Sequence, residues 1–142
     1  MIIVGAGRGG APAATALAQQ GRDVLLIDRH DFPRDKICGD AISQGCIRIM
    51  NELGMAPQIE AAIARGEFYS LHGMRLVGPN GEMLQAEFEP GVNGETSFVA
   101  PRRYFDVLIQ QHALDSGAKF LRAEVNEPLP DENARVTGVL AR

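Results

Sequence analysis

Apolar and polar positions change their spacing several times along the chain, and each change marks an element. Residues 1–4, MIIV, form a short apolar run that predicts a strand. Residues 12–20, PAATALAQQ, are rich in Ala, Leu and Gln and predict a helix that Gly21 ends. Pro12 suits its first turn, where N–H groups have no intrahelical partners. VLLID, residues 24–28, predicts a second buried strand. Strand, helix and strand in so short a span make a βαβ unit, so the two strands should be parallel. Residues 42–53 carry Ile42, Cys46, Ile49, Met50 and Leu53 at helical spacing, stop at Gly54, and are followed by Pro57. The character then changes. Residues 68–77 alternate weakly, GPNG at 78–81 is a turn, and 82–88 complete a predicted β-hairpin. A Gly-, Pro- and Asn-rich linker at 90–94 leads to SFVA, a short strand. Residues 103–116 predict a helix with Phe105, Leu108, Ile109 and Ala113 on one side and Gly117 closing it. A strand at 118–125, a turn at 126–133 and a last strand in RVTGVLAR complete the order. The expected fold class is α/β: a Rossmann-like parallel sheet with helices, interrupted by the start of an antiparallel layer.

Composition narrows the picture without naming a function. The 142 residues are 45% hydrophobic and 23% charged, as in an ordinary globular domain or a piece of one. The net charge of −4 argues against a nucleic-acid binder, which would carry a basic surface. No apolar run approaches the roughly 18 residues of a membrane span, and no signal-peptide pattern opens the chain. Cys38 and Cys46 have neither a CxxC partner nor a nearby histidine pair. They read as reduced thiols of a cytoplasmic protein rather than as disulfide or metal ligands.

The chemistry concentrates near the start. GAGRGG is GxGxxG with Gly5, Gly7 and Gly10 at the key places. Gly5 allows a tight turn out of the strand, Gly7 lets backbone approach a pyrophosphate, and Gly10 allows close packing of helix on strand. With Ala6 between them, these residues precede a helix N-terminus, whose free N–H groups and dipole favour phosphate. Asp28 ends the second strand 18 residues past Gly10, where a carboxylate accepts hydrogen bonds from a ribose diol. That favours FAD or NAD over NADP. Arg29 reads as a solvated strand-end base or as a residue lying over adenine.

FPRDKICGD, residues 32–40, follows the second strand. Taken alone it is a solvated linker, a metal or redox site, or a loop shaped to a ligand, and a metal site has too few soft ligands at workable spacing. Gly39 permits close backbone approach, and Asp40 can fix the loop or cap the helix expected near Ile42. Arg34, Asp35 and Lys36 read as a solvated charge cluster, with the basic pair near phosphate as the other reading.

Three motifs together, the N-terminal GxGxxG with its acid, FPRDKICGD, and RRYFD at 102–106, resemble the geranylgeranyl reductase family. These are FAD-dependent oxidoreductases of the p-hydroxybenzoate-hydroxylase-like flavoprotein group. The resemblance spans nearly the whole chain. It implies that Cys38, Gly39 and Asp40 run along the flavin side of FAD, with Cys38 either a redox thiol or a small packing residue. It implies that Arg102 contacts FAD rather than being an exposed base, and that backbone at Val125 and Asn126 contacts adenine. Arg8 stands where the family usually has proline, which implies a less rigid loop. The implied layout is an FAD-binding βαβ part with its following helix at 1–66, a hairpin excursion toward a substrate domain at 67–100, and a return to the FAD-binding domain at 101–142. The family's second FAD motif would lie beyond residue 142, so an incomplete, N-terminal piece is expected, poorly stable or self-associating alone.

The implied activity is reduction of isoprenoid double bonds, with a reduced nicotinamide or ferredoxin-type electron donor. A hydrophobic or isoprenoid substrate would be compatible with peripheral contact with a membrane. The alternatives are a flavin-dependent monooxygenase or halogenase, which share the FAD half, and a non-enzymatic NAD-binding Rossmann module, which has no need of FPRDKICGD. No side chain stands out as a catalytic acid or base, and His30, His72 and His112 read as surface residues.

Overall fold

A computed structural model describes residues 1–38, 40–89 and 97–142. In chain order the elements are β1 (Ile2–Val4), α1 (Gly10–Gln19), β2 (Leu25–Asp28), β3 (Ala41–Ile42), α2 (Gln44–Glu52), α3 (Ala56–Ala64), β4 (Tyr69–Leu71), β5 (Gly73–Val77), β6 (Met83–Glu87), β7 (Ser97–Val99), α4 (Arg102–Asp115), β8 (Lys119–Arg122), β9 (Val125–Pro130) and β10 (Val136–Ala141). They fall into two compact units, Met1–Lys36 with Arg102–Arg142, and Ile37–Pro101.

The first unit is built on a parallel sheet of order β1-β2-β8. Central β2 is apolar on both faces, and Val24, Leu26 and Ile27 are buried. Such a continuous apolar run is what a parallel strand covered by helices requires. Helix α1 packs on β1, β2 and α4. It does so through Ala11 and Ala14, whose small side chains allow a close approach. From α4 come Phe105, Ile109 and Ala113, all buried as the helical spacing predicts. The same stripe also buries Arg102, Asp106 and Gln110, which hydrophobic periodicity had no means of placing inside. At the start of β2, exposed Lys119 donates to Asp23 at 2.9 Å, and that hydrogen bond holds the Asp23 carboxyl below its ordinary value.

The second unit holds a small antiparallel sheet of order β3-β7-β4, helices α2 and α3, and the separate β5-β6 hairpin. Phe98 on β7 stacks on Phe68 with centroids 5.3 Å apart and planes 4° from parallel, and both are buried. Met50, Met55 and Ile59 are buried in the same unit. The hairpin follows the GPNG turn as expected, with Gly78 N–H donating to Glu82 O at 2.8 Å. Met74, Leu76, Val77, Met83 and Leu84 remain exposed on it.

Three expectations fail locally. The helix read from residue 42 begins at Gln44, because Ala41 and Ile42 pair with Val99 and Phe98 and bury Ile42. Its N-cap position is Ser43 rather than Asp40. A second helix, α3, follows Gly54 at once, with Pro57 in its first turn, where proline is compatible with helix. The stretch read as a turn at 126–133 is mostly strand: β9 pairs antiparallel with β10. Pro128 and Pro130 are tolerated because each strand of a two-stranded ribbon has an edge on which no N–H is needed. The real turn is tighter, with Asp131 Oδ1 accepting from the N–H of Asn133 and of Arg135.

Truncating Phe98 to alanine removes one ring of the stacked pair. Phe98→Ala is expected to destabilise the protein by about 3–5 kcal/mol, read as a lower urea midpoint with an unchanged slope.

Candidate functional site

The turn from β1 into α1 is set by glycine geometry. Gly5 has φ +96°, and its N–H donates to Ile27 O at 2.6 Å, extending the ladder toward β2. A Cβ on Gly10 would lie 1.8 Å from Gly5 O, so no other residue lets α1 start this close to the strand. Gly9 is the N-cap of α1 and offers no side chain to the first turn, where Ala11 N–H donates to Gly7 O at 3.0 Å and Pro12 has no N–H.

Asp28 ends β2 beside this loop and is buried. Its Oδ2 accepts from Ala6 N–H at 2.8 Å and its Oδ1 from His30 N–H at 2.9 Å. Both oxygens are thus oriented by backbone, and each keeps a further acceptor position. Ala6 itself is buried, its N–H given to Asp28.

Above the loop lie two arginines. Arg102, on α4, donates from Nε to Asp106 Oδ1 at 2.8 Å and from Nη2 to Asp106 Oδ2 at 2.7 Å. Asp106 has no exposed surface, and Arg102 is 6% exposed. Arg34 Nη2 lies 3.5 Å from Asp106 Oδ2 and 3.9 Å from Asp28 Oδ2. Its guanidinium also sits 5.1 Å from the Phe32 ring centre. A Cβ added at Gly7 would meet Arg34 Nη2 at 3.2 Å and Arg102 Nη2 at 3.6 Å. The bare backbone of Gly7 therefore faces two guanidinium groups. Arg8 stacks over Phe105, 5.3 Å from its ring centre.

These residues line a cleft of about 580 Å³, with Gly5, Gly7, Gly9 and Gly10 as its floor. Arg8, Arg29, Arg34, Lys36 and Arg102 face Asp28 and Asp35 across it, with Asp106 behind them. Five cations and three carboxylates leave the cleft two charges positive, in a chain whose net charge is −4. An adjoining slot of about 230 Å³ runs from Val4, Gly5 and Asp28 past Arg29 to Ala123, Glu124 and Val125.

A family model described as FAD binding domain matches residues 1–142. The chain belongs to that family. It is 35% identical over 145 residues to the menaquinone reductase of Mycolicibacterium smegmatis, covering 99% of this chain and 33% of that protein. It is likewise 35% identical over 144 residues to digeranylgeranylglycerophospholipid reductase 1 of Methanopyrus kandleri, covering 98% and 33%. Among solved structures, the myxobacterial chondrochloren halogenase CndH superposes with a TM-score of 0.87 at 27% identity, over 99% of this chain and 32% of that one. The chain thus spans about a third of the length of the relatives it matches. It is an FAD-binding domain of the flavoprotein oxidoreductase type, with FAD as the cofactor.

The residues expected from the sequence divide into groups. Gly5, Gly7, Gly10, Asp28, Arg29 and Arg102 line the cleft together. Arg29 is exposed, with its Nε donating to His30 Nε2 at 3.2 Å. Val125 lines the slot beside Ala123 and Glu124, whereas Asn126 is exposed on β9 and is not among its lining residues. Cys38 and Asp40 belong to the second unit, and Gly39 lies outside the described residues. Cys38 is exposed, not packed against a wall. Asp40 has φ +55°, and its carbonyl accepts from Ala100 N–H at 2.9 Å.

Arg34 overturns one reading: it is no part of a solvated cluster, its side chain being 16% exposed and ion-paired, while Asp35 and Lys36 are exposed. Asp106 entered only as part of RRYFD with no role of its own, although its position four residues after Arg102 is the spacing at which helical side chains pair.

Adding one methyl group at the loop tests this geometry. Gly10→Ala is expected to cost about 1–3 kcal/mol of stability and to remove measurable FAD binding. Calorimetric titration and urea unfolding of the same sample would report both.

Proposed function

We propose that this domain holds FAD in the cleft of the first unit, and that the protein it belongs to reduces isoprenoid double bonds in the manner of a geranylgeranyl reductase. The observation that carries the cofactor site is the bare backbone of Gly7 facing two guanidinium groups, in a cleft with an excess of two positive charges. A dinucleotide's pyrophosphate is a dianion, and it needs both close backbone approach and fixed cations. Arg34 Nε supports the fit, since it is buried with no hydrogen-bond partner among the described residues.

In this reading Asp28 holds the adenosine ribose hydroxyls, the N-terminus of α1 and the two arginines hold the pyrophosphate, and the slot at Val125 takes the adenine. The resemblance implies a flavin-side role for Cys38, Gly39 and Asp40, and a course toward a substrate domain for residues 67–100. The bound flavin supplies the redox chemistry, taking reducing equivalents from a donor and delivering them to a carbon–carbon double bond. A reduced nicotinamide or a ferredoxin-type protein fits as donor, and a hydrophobic isoprenoid as substrate. The reductase reading is supported by the name of the Methanopyrus relative and by FPRDKICGD. The likeness to the chondrochloren halogenase favours a second reading, a flavin-dependent halogenase or monooxygenase.

Titrating the chain with FAD and with NAD by calorimetry tests the cofactor. FAD is expected to bind in preference. Asp28→Ala is expected to weaken it by about tenfold to a hundredfold, the worth of hydrogen bonds to a charged group. Preference for NAD would sink the reading. Reduction of a geranylgeranyl lipid, as against halogenation of an aromatic compound, by the protein carrying this domain separates the two activities.

A further inference from the structure

Asp106 faces none of the space in the cleft, having no exposed surface, yet two of the cleft's guanidinium groups converge on it. Its Oδ1 takes Arg102 Nε, and its Oδ2 takes Arg102 Nη2 and, at 3.5 Å, Arg34 Nη2. Arg102 comes from the same helix, whereas Arg34 comes from the loop after β2. One carboxylate therefore meets two arginines that are distant in sequence. We propose that Asp106 is a positioning residue, whose buried carboxylate aligns Arg102 and Arg34 as a paired guanidinium clamp over Gly7 for the pyrophosphate of the dinucleotide. The inference rests on the FAD reading above and adds to it the residue through which the arginines act.

Two observations separate this from an ion pair that merely glues a loop to a helix. The Nη2 atoms of both arginines lie just above Gly7, at 3.2 and 3.6 Å from where a Cβ would stand. A glue contact has no reason to place them over the loop glycine whose bare backbone approaches a pyrophosphate. Arg34 also keeps a buried Nε without a hydrogen-bond partner among the described residues. A planar fork holding one anion behind it and offering further donors in front is suited to bridging a carboxylate and a phosphate.

The sign of the effect makes the proposal testable. Asp106 is negative, so by charge alone it opposes a bound pyrophosphate. Asp106→Asn makes the cleft more positive while keeping the side chain's shape. If charge alone governed binding, the variant would hold FAD more tightly. If Asp106 acts through the arginines, the variant holds FAD less tightly, by about tenfold to a hundredfold. FAD titrations of the chain, of Asp106→Asn, of Arg34→Gln and of the double variant decide between them, with thermal unfolding measured without FAD on each. Each single change is expected to weaken FAD. The double variant should lose less than the product of the two factors, because Asp106 works partly through Arg34.

Equal or tighter binding by Asp106→Asn overturns the inference and leaves the FAD reading standing. So do fully multiplicative losses in the double variant. Should Asp106→Asn fail to fold, Arg34→Gln still decides: with an unchanged melting temperature it must weaken FAD, and unchanged affinity overturns the clamp. A folded, unsubstituted chain that binds no FAD sinks the FAD reading and the clamp together.

Discussion

A carboxylate with no exposed surface holds two guanidinium groups in the first unit, and the candidate site is arranged around it. A buried ion cannot stand alone: removing one partner of such a pair typically costs about 3–5 kcal/mol, because a charge is left uncompensated. Asp106 therefore constrains Arg102 and Arg34 to meet it. Arg34 in turn approaches Asp28, whose orientation depends on Ala6 and His30 N–H groups. The glycine loop, the end of β2, the loop after it and the first turns of α4 are tied into one polar network. The apolar packing of α1 on the sheet and on α4 sets the distances within it.

The part of this that depends on backbone was legible in the sequence. GxGxxG, the helix after it and Asp28 carry their meaning in spacing, since each glycine answers a steric demand that no side chain can meet. Gly10 shows this directly, with a Cβ clash at 1.8 Å. The apolar side of α4 was legible for the same reason. What was not legible depends on partners distant in the chain. Arg34 sits in a run of mixed charge that looks solvated, and only the arrival of α4 makes it a buried pair. Ile42 reads as helical until β7 offers it a strand partner. The prolines of β9 look like turn residues until β10 shows that their edge needs no donors. Pro57 follows the expected stop at Gly54 and gives no sign in the sequence that it sits in the first turn of α3.

The second unit is of another kind. Its sheet and helices bury a core around Phe68 and Phe98. Its β5-β6 hairpin stands as a two-stranded ribbon with large apolar side chains in the open. Two strands alone are marginal in water, so the hairpin owes little to its own cross-strand pairs. The two units thus contrast a polar site tied down on all sides with an apolar ribbon that is not.

The first unit is assembled from two stretches of chain with the whole second unit between them. That order has a consequence for biogenesis. A ribosome releases the glycine loop, Asp28 and Arg34 early, when neither β8 nor α4 yet exists. In that interval β2 lacks one of its two neighbours, and the arginine has no buried anion to meet. The closing pairs, such as Asp23 with Lys119, span 96 positions. Contacts so distant in sequence form slowly, because loop closure must precede any gain from them. Cofactor capture is then among the last events in the maturation of this unit. A nucleotide that binds only the finished cleft acts on the folding equilibrium by mass action, so flavin supply becomes a determinant of how much of the nascent chain survives to be folded.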